Sequence, residues 1–466
     1  MVGLVVASAL VLPSPPSQAE PATCQGKEAT IVGPTAPGAA YRTVGTEGDD
    51  VIVAPLAPDG EVQGLGGDDT ICLVGGGAPD PTLLGARVEA GDGDDSVLNL
   101  AVSSLHPIVS LGAGSDHYVG NDFSESVTTG TYGGLDEDVD VVESFGGDDH
   151  ISSGLIPEVE NHDLISTGAG HDIVNYGNPS GERVDNGTGA DTLSVDPVTP
   201  QAWLIDNDGG RLSVGDQTML TWTNVDTFRT REVKGSSFTF RGTDGDETFI
   251  VDGDELGATS PPSPATFRGG SISMGGGNDS VELANYLPGE VDMGSGTDAV
   301  EYQVEGACSR ASITMDGSAD CTTLWTQETV VTRLAGIESL DARTRDQLVV
   351  FGTPRSDVIN ARSRVLRVHS GAGHDRVQTD QSRDVTVRGG RGNDTLTGSS
   401  CAGRHCFERF VSLVLRGGQG DDRLIGANTP DRLYGGPGRD RADGQSGRDI
   451  CVAEVRRKCE PAALSR

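Results

Sequence analysis

Apolar residues recur along this chain singly, between polar neighbours, at the end of a short acidic phrase. The phrase is glycine, spacer, acid, spacer, apolar residue. Its acids are Asp50, Asp69, Asp95, Asp116, Asp149, Asp172, Asp191, Glu247, Asp279, Asp298, Asp357, Asp375, Asp394, Asp422, Asp431, Asp440 and Asp449. Two residues after them stand Ile52, Ile71, Val97, Tyr118, Ile151, Val174, Leu193, Phe249, Val281, Val300, Ile359, Val377, Leu396, Leu424, Leu433, Ala442 and Cys451. Glycine and acid define the phrase, so the apolar residue is independent support, and it is never missing in a chain only 35% hydrophobic. An x-apolar-x stretch is a minimal β-strand with one side chain turned inward. The glycines ahead of the acid supply the positive φ of a tight turn. Strand plus turn is half a coil of about nine residues, and two halves close a coil of about eighteen. The expected fold is all-β: a right-handed parallel β-roll or β-helix solenoid.

Spacing tests that geometry. From Asp422 to Asp449 the acids fall 9, 9 and 9 residues apart, as when both sides of the roll carry turns. Asp357, Asp375 and Asp394 are 18 and 19 apart, and Asp172–Asp191 and Asp279–Asp298 are 19 apart, each describing a single column. Gaps of 56 residues (Asp191 to Glu247) and 59 residues (Asp298 to Asp357) are each close to three coils. The solenoid is expected to run through them without ions.

The phrase also carries chemistry. Glycines turn carbonyl oxygens inward, and the aspartate adds a hard anionic oxygen. A calcium ion takes six to eight such oxygens at roughly 2.3–2.6 Å. Gly-Gly-x-Gly-x-Asp-x-apolar-x is the calcium-binding nonapeptide of a parallel β-roll, with turns one coil apart sharing an ion. The expected ligands are Asp50, Asp69, Asp95, Asp149, Asp172, Asp191, Asp357, Asp375, Asp394, Asp422, Asp431, Asp440 and Asp449. The coils from 242 to 300 stay outside this set because Glu247 replaces aspartate there.

Two flanking segments complete the pattern: Thr23-Cys-Gln-Gly-Lys-Glu-Ala-Thr-Ile-Val-Gly33 and Gly447-Arg-Asp-Ile-Cys-Val-Ala-Glu-Val-Arg-Arg-Lys-Cys-Glu460. With them the chain resembles the hemolysin-type calcium-binding repeat (RTX) proteins, and more narrowly the secreted, arginine-rich members found in actinobacteria. The repeats cover most of 45–193, 242–300 and 352–451. The resemblance implies several bound calcium ions. Departures are Glu247 for aspartate, Arg355 and Thr429 for glycine, and Ala442 as a small core residue.

Charge changes the picture of partners. The net charge is −36, and it is uneven: residues 1–340 hold 12 Lys+Arg against 54 Asp+Glu, and residues 341–466 hold 22 against 16. Such an acidic chain repels nucleic acid and anionic membrane. It also resists compaction until cations neutralise it, so folding is expected to depend on calcium. Met1–Leu12 is apolar and Pro13–Ala19 ends in small residues, which reads as a signal peptide over 1–19, though without a basic n-region. No other run reaches the eighteen residues of a membrane span. Secretion follows, where disulfides persist. By proximity the cysteines pair as Cys24–Cys72, Cys308–Cys321, Cys401–Cys406 and Cys451–Cys459. The first would fasten an N-terminal cap, the third pin an inserted loop, and the last fold Arg456-Arg-Lys458 over the open end.

Other chemistry is sparse. The eight histidines show no His-Glu-x-x-His zinc spacing. His171 and His374 fall in the spacer before the acid and read as solvated turn residues. Glu158, Glu160, His162 and Asp163 form the densest polar cluster outside the repeats, a conceivable carboxylate–histidine site. Trp203, Trp222 and Trp325 lie in the two gaps, where Leu220–Phe228 and Arg333–Leu340 look alike. They read as wider, metal-free coils packed with larger side chains, in preference to a sugar-binding platform. Pro-rich Gly257–Pro264 reads as an exposed loop.

The chain thus divides into a signal peptide (1–19), an N-terminal cap (20–44), a calcium-binding block (45–193), metal-free coils (194–241), a degenerate block (242–300), metal-free coils (301–351), a third block (352–451) and a basic C-terminal cap (452–466). The expected function is a secreted, non-catalytic, structural or adhesive calcium-binding solenoid, with an extracellular glycan or cell surface as partner. The rival is a polysaccharide lyase or epimerase on a β-helix. No non-repetitive stretch is long enough to be a separate catalytic domain.

Overall fold

The computed structural model describes residues 22–34, 42–75, 85–102, 106–130, 138–154, 159–196, 201–231, 237–253, 269–324, 327–380, 382–398 and 412–460. The signal peptide, Glu158, the Pro-rich loop, Trp325 and the Cys401–Cys406 pair lie outside these residues.

Every regular element among them is a β-strand. The strands alternate between two faces of one solenoid. Sheet I runs from Ile31–Val32 to Ile450–Val452, and sheet II from Arg42–Val44 to Val455–Arg457. Within each sheet a strand pairs in parallel with its counterpart one coil on, as Ile71 does with Ile52 and Val97. Sheet II keeps this order from end to end, and its terminal strands each have one strand partner. Among the described residues sheet II is therefore an open stack.

The apolar member of all seventeen phrases points inward, at most 3% exposed. Each buried Val, Ile or Leu is worth about 1.5–3 kcal/mol, which is how one inward side chain per half-coil sustains so thin a core. The C-terminal cysteine pair lies against the core, where Cys459 packs, whereas the N-terminal pair lies on the outer face of sheet I with Val53. Cys24–Cys72 ties the antiparallel pair Thr23–Cys24 and Lys27–Glu28 to the third strand of sheet I, Thr70–Val74. Cys451–Cys459 draws the tail back, so that Glu460 N–H donates to Asp449 O at 2.7 Å.

The two gaps differ from the expected three plain coils. Sheet II crosses each in two steps: Thr192–Asp196, Thr227–Arg231, Thr248–Asp252 in the first, and Ala299–Gln303, Ser339–Arg343, Val358–Arg362 in the second. Sheet I instead inserts a three-stranded antiparallel meander. Its first meander stacks in reverse chain order, Gln217–Thr223 on Glu182–Asp185, then Arg211–Val214, then Ala202–Asp206 beneath Ser237–Arg241. Thr329–Ala335, Ser318–Thr323 and Cys308–Thr314 repeat the arrangement, with the Cys308–Cys321 disulfide across it. Across each gap sheet I is thus two strands longer than sheet II, about 10 Å at the usual strand spacing. That wedge needs large side chains. Trp203, Trp222, Phe228, Phe238, Phe240 and Phe249 are all buried at the first one, and Phe240 stacks on Phe249 at 4.2 Å. Trp203 and Trp222 are core residues, as their place in the first gap suggested.

Candidate metal centre

Each acid sits at a corner of the coil, in the residue before a strand or at its first position. From there its carboxylate reaches back one coil. Asp69 Oδ1 accepts the Asp50 N–H, Asp95 that of Asp69, Asp116 that of Asp95, Asp140 that of Asp116 and Asp163 that of Asp140, all at 2.8–2.9 Å. This ladder follows the corner ahead of sheet I. A second ladder follows the corner ahead of sheet II. It begins where Asp149 Oδ1 accepts from Glu125, and continues through Asp172 and Asp191 to Asp226. Its next run is Glu247, Asp279, Asp298 and Glu338. The last is Asp357, Asp375, Asp394, Asp422, Asp440 and Glu454. Asp431 and Asp449 return to the sheet I corner, 2.9 Å apart N to Oδ1, so the nine-residue spacing does mark turns on both sides.

Reading the sequence for glycine missed six rungs. Glu125, Asp140, Asp163, Asp226 and Glu454 lack the glycine two residues earlier but keep an inward or strand residue two later, as in Glu125-Ser-Val127 and Asp226-Thr-Phe228. Glu338 has Gly336 as well, and was passed over as part of a metal-free coil. An acid-x-apolar signal in phase with the coil would have found most of them.

What the second carboxylate oxygen meets decides what a turn can hold. In Asp69, Asp95, Asp149, Asp172, Asp191, Asp375, Asp394, Asp422, Asp440 and Asp449, Oδ2 is buried without a hydrogen-bond partner. Asp279 and Asp298, left out of the expected ligand set, have the same geometry. Ser144, beside Asp149, does not satisfy it, because its hydroxyl donates to Thr167 O. An anionic oxygen buried and unpartnered is costly. Glycine keeps the space beside it clear. A Cβ on Gly389 would lie 2.2 Å from Asp394 Oδ2 and 2.6 Å from the Gly417 carbonyl oxygen of the next coil. Gly64 would likewise meet Asp69 Oδ2 and Ala90 O at 2.3 and 2.0 Å. Carboxylate and carbonyl oxygens thus face one small cradle at these turns. Among the described residues no three His, Cys, Asp or Glu side chains converge, so most donors to an ion would be backbone carbonyls. An oxygen-only, anionic, glycine-cleared cradle fits a hard cation such as calcium.

Three expected ligands stand apart. Asp50 Oδ2 accepts both the N–H and the hydroxyl of Thr46, at 2.7 and 2.8 Å. Asp357 accepts the Thr353 N–H on Oδ2 and its hydroxyl on Oδ1, at 2.7 Å each. Asp431 Oδ2 accepts the Ala427 N–H at 2.6 Å, and its Oδ1 the Thr429 hydroxyl at 3.0 Å. Glu247 is gripped by Thr243. These four acids open four of the five runs of rungs, Glu125 opening the other, and a threonine takes up carboxylate oxygens that a rung further on leaves to the neighbouring coil.

The electrostatics follow the hydrogen bonding. Burial pushes Asp69 up to about 6 and Asp95 and Asp149 to about 7. Asp191, Asp279 and Asp422 rise to about 6, and Glu125 to about 8, for the same reason. At Asp50 burial also pushes upward, but the hydrogen bonds from Thr46 and Thr30 outweigh it and hold the carboxyl below its usual range.

Outside the inner ladder, residues one before the acid form another, running the opposite way. Asp94 N–H donates to Asp68 Oδ1 at 3.0 Å, and Asp421 N–H to Asn393 Oδ1 at 2.8 Å. His374 belongs to it: its Nδ1 accepts the Asn393 N–H at 2.8 Å, and His171 Nδ1 that of Ala190 at 3.3 Å. They are exposed, but they are rungs and not merely solvated. The Glu160–His162–Asp163 cluster disperses. His162 pairs with Glu182 at 2.8 Å, Glu160 accepts the Ser180 hydroxyl, and Asp163 ends the sheet I ladder. A groove of about 630 Å³ opens beside the first meander, lined among others by Asp208, Trp222, Asp226, Asp246 and Glu247. At the second meander Arg355 instead reaches Asp316 and Glu338, at 3.0 and 2.9 Å.

No curated protein matches the chain. The RTX calcium-binding nonapeptide repeat matches it in four copies, over residues 386–402 and 415–451. Those copies lie in the last block, where both corners carry acids. This parallel roll thus carries RTX-type calcium-binding nonapeptide repeats in its last block, and the rest of the chain is built on the same phrase.

Proposed function

We propose that the chain is a secreted, non-catalytic solenoid that calcium stiffens, serving a structural or adhesive role outside the cell. The observation that carries this reading is the column of buried carboxylate oxygens without partners. The ions would be held at Asp69, Asp95, Asp149, Asp172, Asp191, Asp375, Asp394, Asp422, Asp440 and Asp449, and also at Asp279 and Asp298, with turn carbonyls completing each shell. Bound calcium supplies the positive charge that these oxygens lack, and binding to the folded state alone stabilises it. Asp50, Asp357 and Asp431, with Glu247, act as stops filled by the chain itself. Secretion is supported by three disulfides and no free cysteine among the described residues. No helix among those residues is long and apolar enough to cross a membrane.

Calorimetric titration with calcium, followed by far-UV circular dichroism and with magnesium as control, tests the reading. Several ions should bind, and strand signal should rise with them. A spectrum already β-rich and unmoved by calcium, with no heat of binding, would overturn the calcium part. Cleavage of any acidic polysaccharide by the purified chain would overturn the non-catalytic part.

A further inference from the structure

Some arginines of this chain face a carboxylate and others do not. Arg42, Arg183, Arg211, Arg229, Arg231 and Arg333 each face a carboxylate within 4.0 Å. In the last block the outward residues of sheet I line up across six strands as Phe351, His369, Arg388, Arg416, Tyr434 and Val452. Arg367 and Arg432 stand in the neighbouring column. Arg367 is paired with Asp384 at 2.8 Å. Arg388, Arg416 and Arg432 are exposed and have no ion pair among the described residues.

Arg388 and Arg416 are direct cross-strand partners, and like charges so placed repel. Among the described residues the Tyr434 ring, 5.5 Å beneath the Arg416 guanidinium, offsets this. At the other end Phe351 stacks on His369 at 5.2 Å. The face is therefore a flat strip with uncompensated guanidinium groups at its centre and aromatic rings at both ends. Its length over six strands is about 24 Å.

We propose that this face binds an extended acidic polysaccharide. Guanidinium groups pair with carboxylate or sulfate in a fixed fork, and sugar rings pack on aromatic faces. The rings here each have one side covered, by His369 or by Arg416, which leaves a surface for a sugar but no slot between rings for a base. Sheet II carries Arg376, Arg423 and Arg441 in register on its own outer face, without an aromatic residue beside them. The inference rests on the adhesive reading above and names its partner.

The test uses the full chain in millimolar calcium, with hyaluronan and chondroitin sulfate as probes, dextran as neutral control and a single-stranded oligonucleotide as competing polyanion. The triple variant Arg388→Gln, Arg416→Gln, Arg432→Gln is compared with Arg376→Gln, Arg423→Gln, Arg441→Gln, which removes the same charge from the opposite face. Circular dichroism and calcium titration of each variant show that the solenoid is intact, so a failed partner is distinguishable from a failed fold. Wild type should bind the acidic polysaccharides and not dextran. The sheet I variant should bind them about tenfold more weakly or worse, as expected for three lost charge contacts, and the sheet II variant as wild type does. No binding by wild type, equal losses in both variants, or tighter binding of the oligonucleotide would overturn the assignment.

Discussion

Consider the chain stripped of divalent cations and moved from pH 5 to pH 8. In the unfolded chain the ladder carboxyls titrate near 4. In the fold, burial raises Asp69, Asp191, Asp279 and Asp422 to about 6, Asp95 and Asp149 to about 7, and Glu125 to about 8. Between those limits the native state binds more protons than the unfolded one, so stability falls as pH rises. The contribution is complete below about pH 4 and lost on passing through 6 to 8. A rise of two units is worth about 3 kcal/mol. The acids lie just under the surface, and solvent screening reduces that to about 1.5 kcal/mol each. Seven such groups together reach about 10 kcal/mol, comparable with the whole stability of an ordinary domain. Urea unfolding of cation-free protein, followed by circular dichroism, should therefore give a higher midpoint at pH 5 than at pH 8. Added calcium should raise the midpoint strongly at pH 8 and little at pH 5, since protons and calcium compete for the same oxygens. A cation-free midpoint that is flat or rises from pH 5 to pH 8 would refute the reasoning.

Three further outcomes are expected. Gly420 holds φ 129°, and a Cβ there would lie 2.0 Å from Gly392 O, so Gly420→Ala should destabilise its coils by about 3 kcal/mol and lower the calcium stoichiometry in a titration. Thr353→Val removes the hydroxyl that holds Asp357 and should cost about 1–2 kcal/mol while freeing a carboxylate oxygen, so the calcium stoichiometry should rise; an unchanged stoichiometry would show that threonine was not the stop. Opening Cys24–Cys72, which closes a 48-residue separation, by Cys24→Ser with Cys72→Ser should cost about 4 kcal/mol on the chain-entropy account. Because a solenoid loses coils locally, hydrogen exchange should show the loss around Ile31–Val32 and Val51–Pro55, with protection near Arg376–Asp380 unchanged.

Much of the fold was legible because the nonapeptide encodes it twice. The glycine places positive φ at the turn, and the lone apolar residue places one inward side chain half a coil later. Both are local, which is why the seventeen apolar positions, the two-sided turns of Asp422–Asp449 and the C-terminal capping cysteines could be read along the chain. The rungs without glycine were not legible by the same rule. Asn224 shows why: it stands two residues before Asp226, as Gly189 does before Asp191 in the preceding coil, with φ 52°. Once neighbouring coils hold a turn, a non-glycine residue is tolerated in it, and the signal fades while the geometry persists.

By itself, then, the sequence determined the coil, its period, its inward residues and the class of ion its turns suit, since each depends on φ and burial within a few residues. Tertiary structure decided which corner each acid occupies, the reversed stacking of the two meanders, and the split between turns with an unpartnered oxygen and turns filled by threonine. It also brought Arg388 against Arg416, 28 residues apart in sequence. These depend on what the adjacent coil presents 4.8 Å away, and coils of 18 to 40 residues bring together groups whose spacing along the chain follows no fixed period.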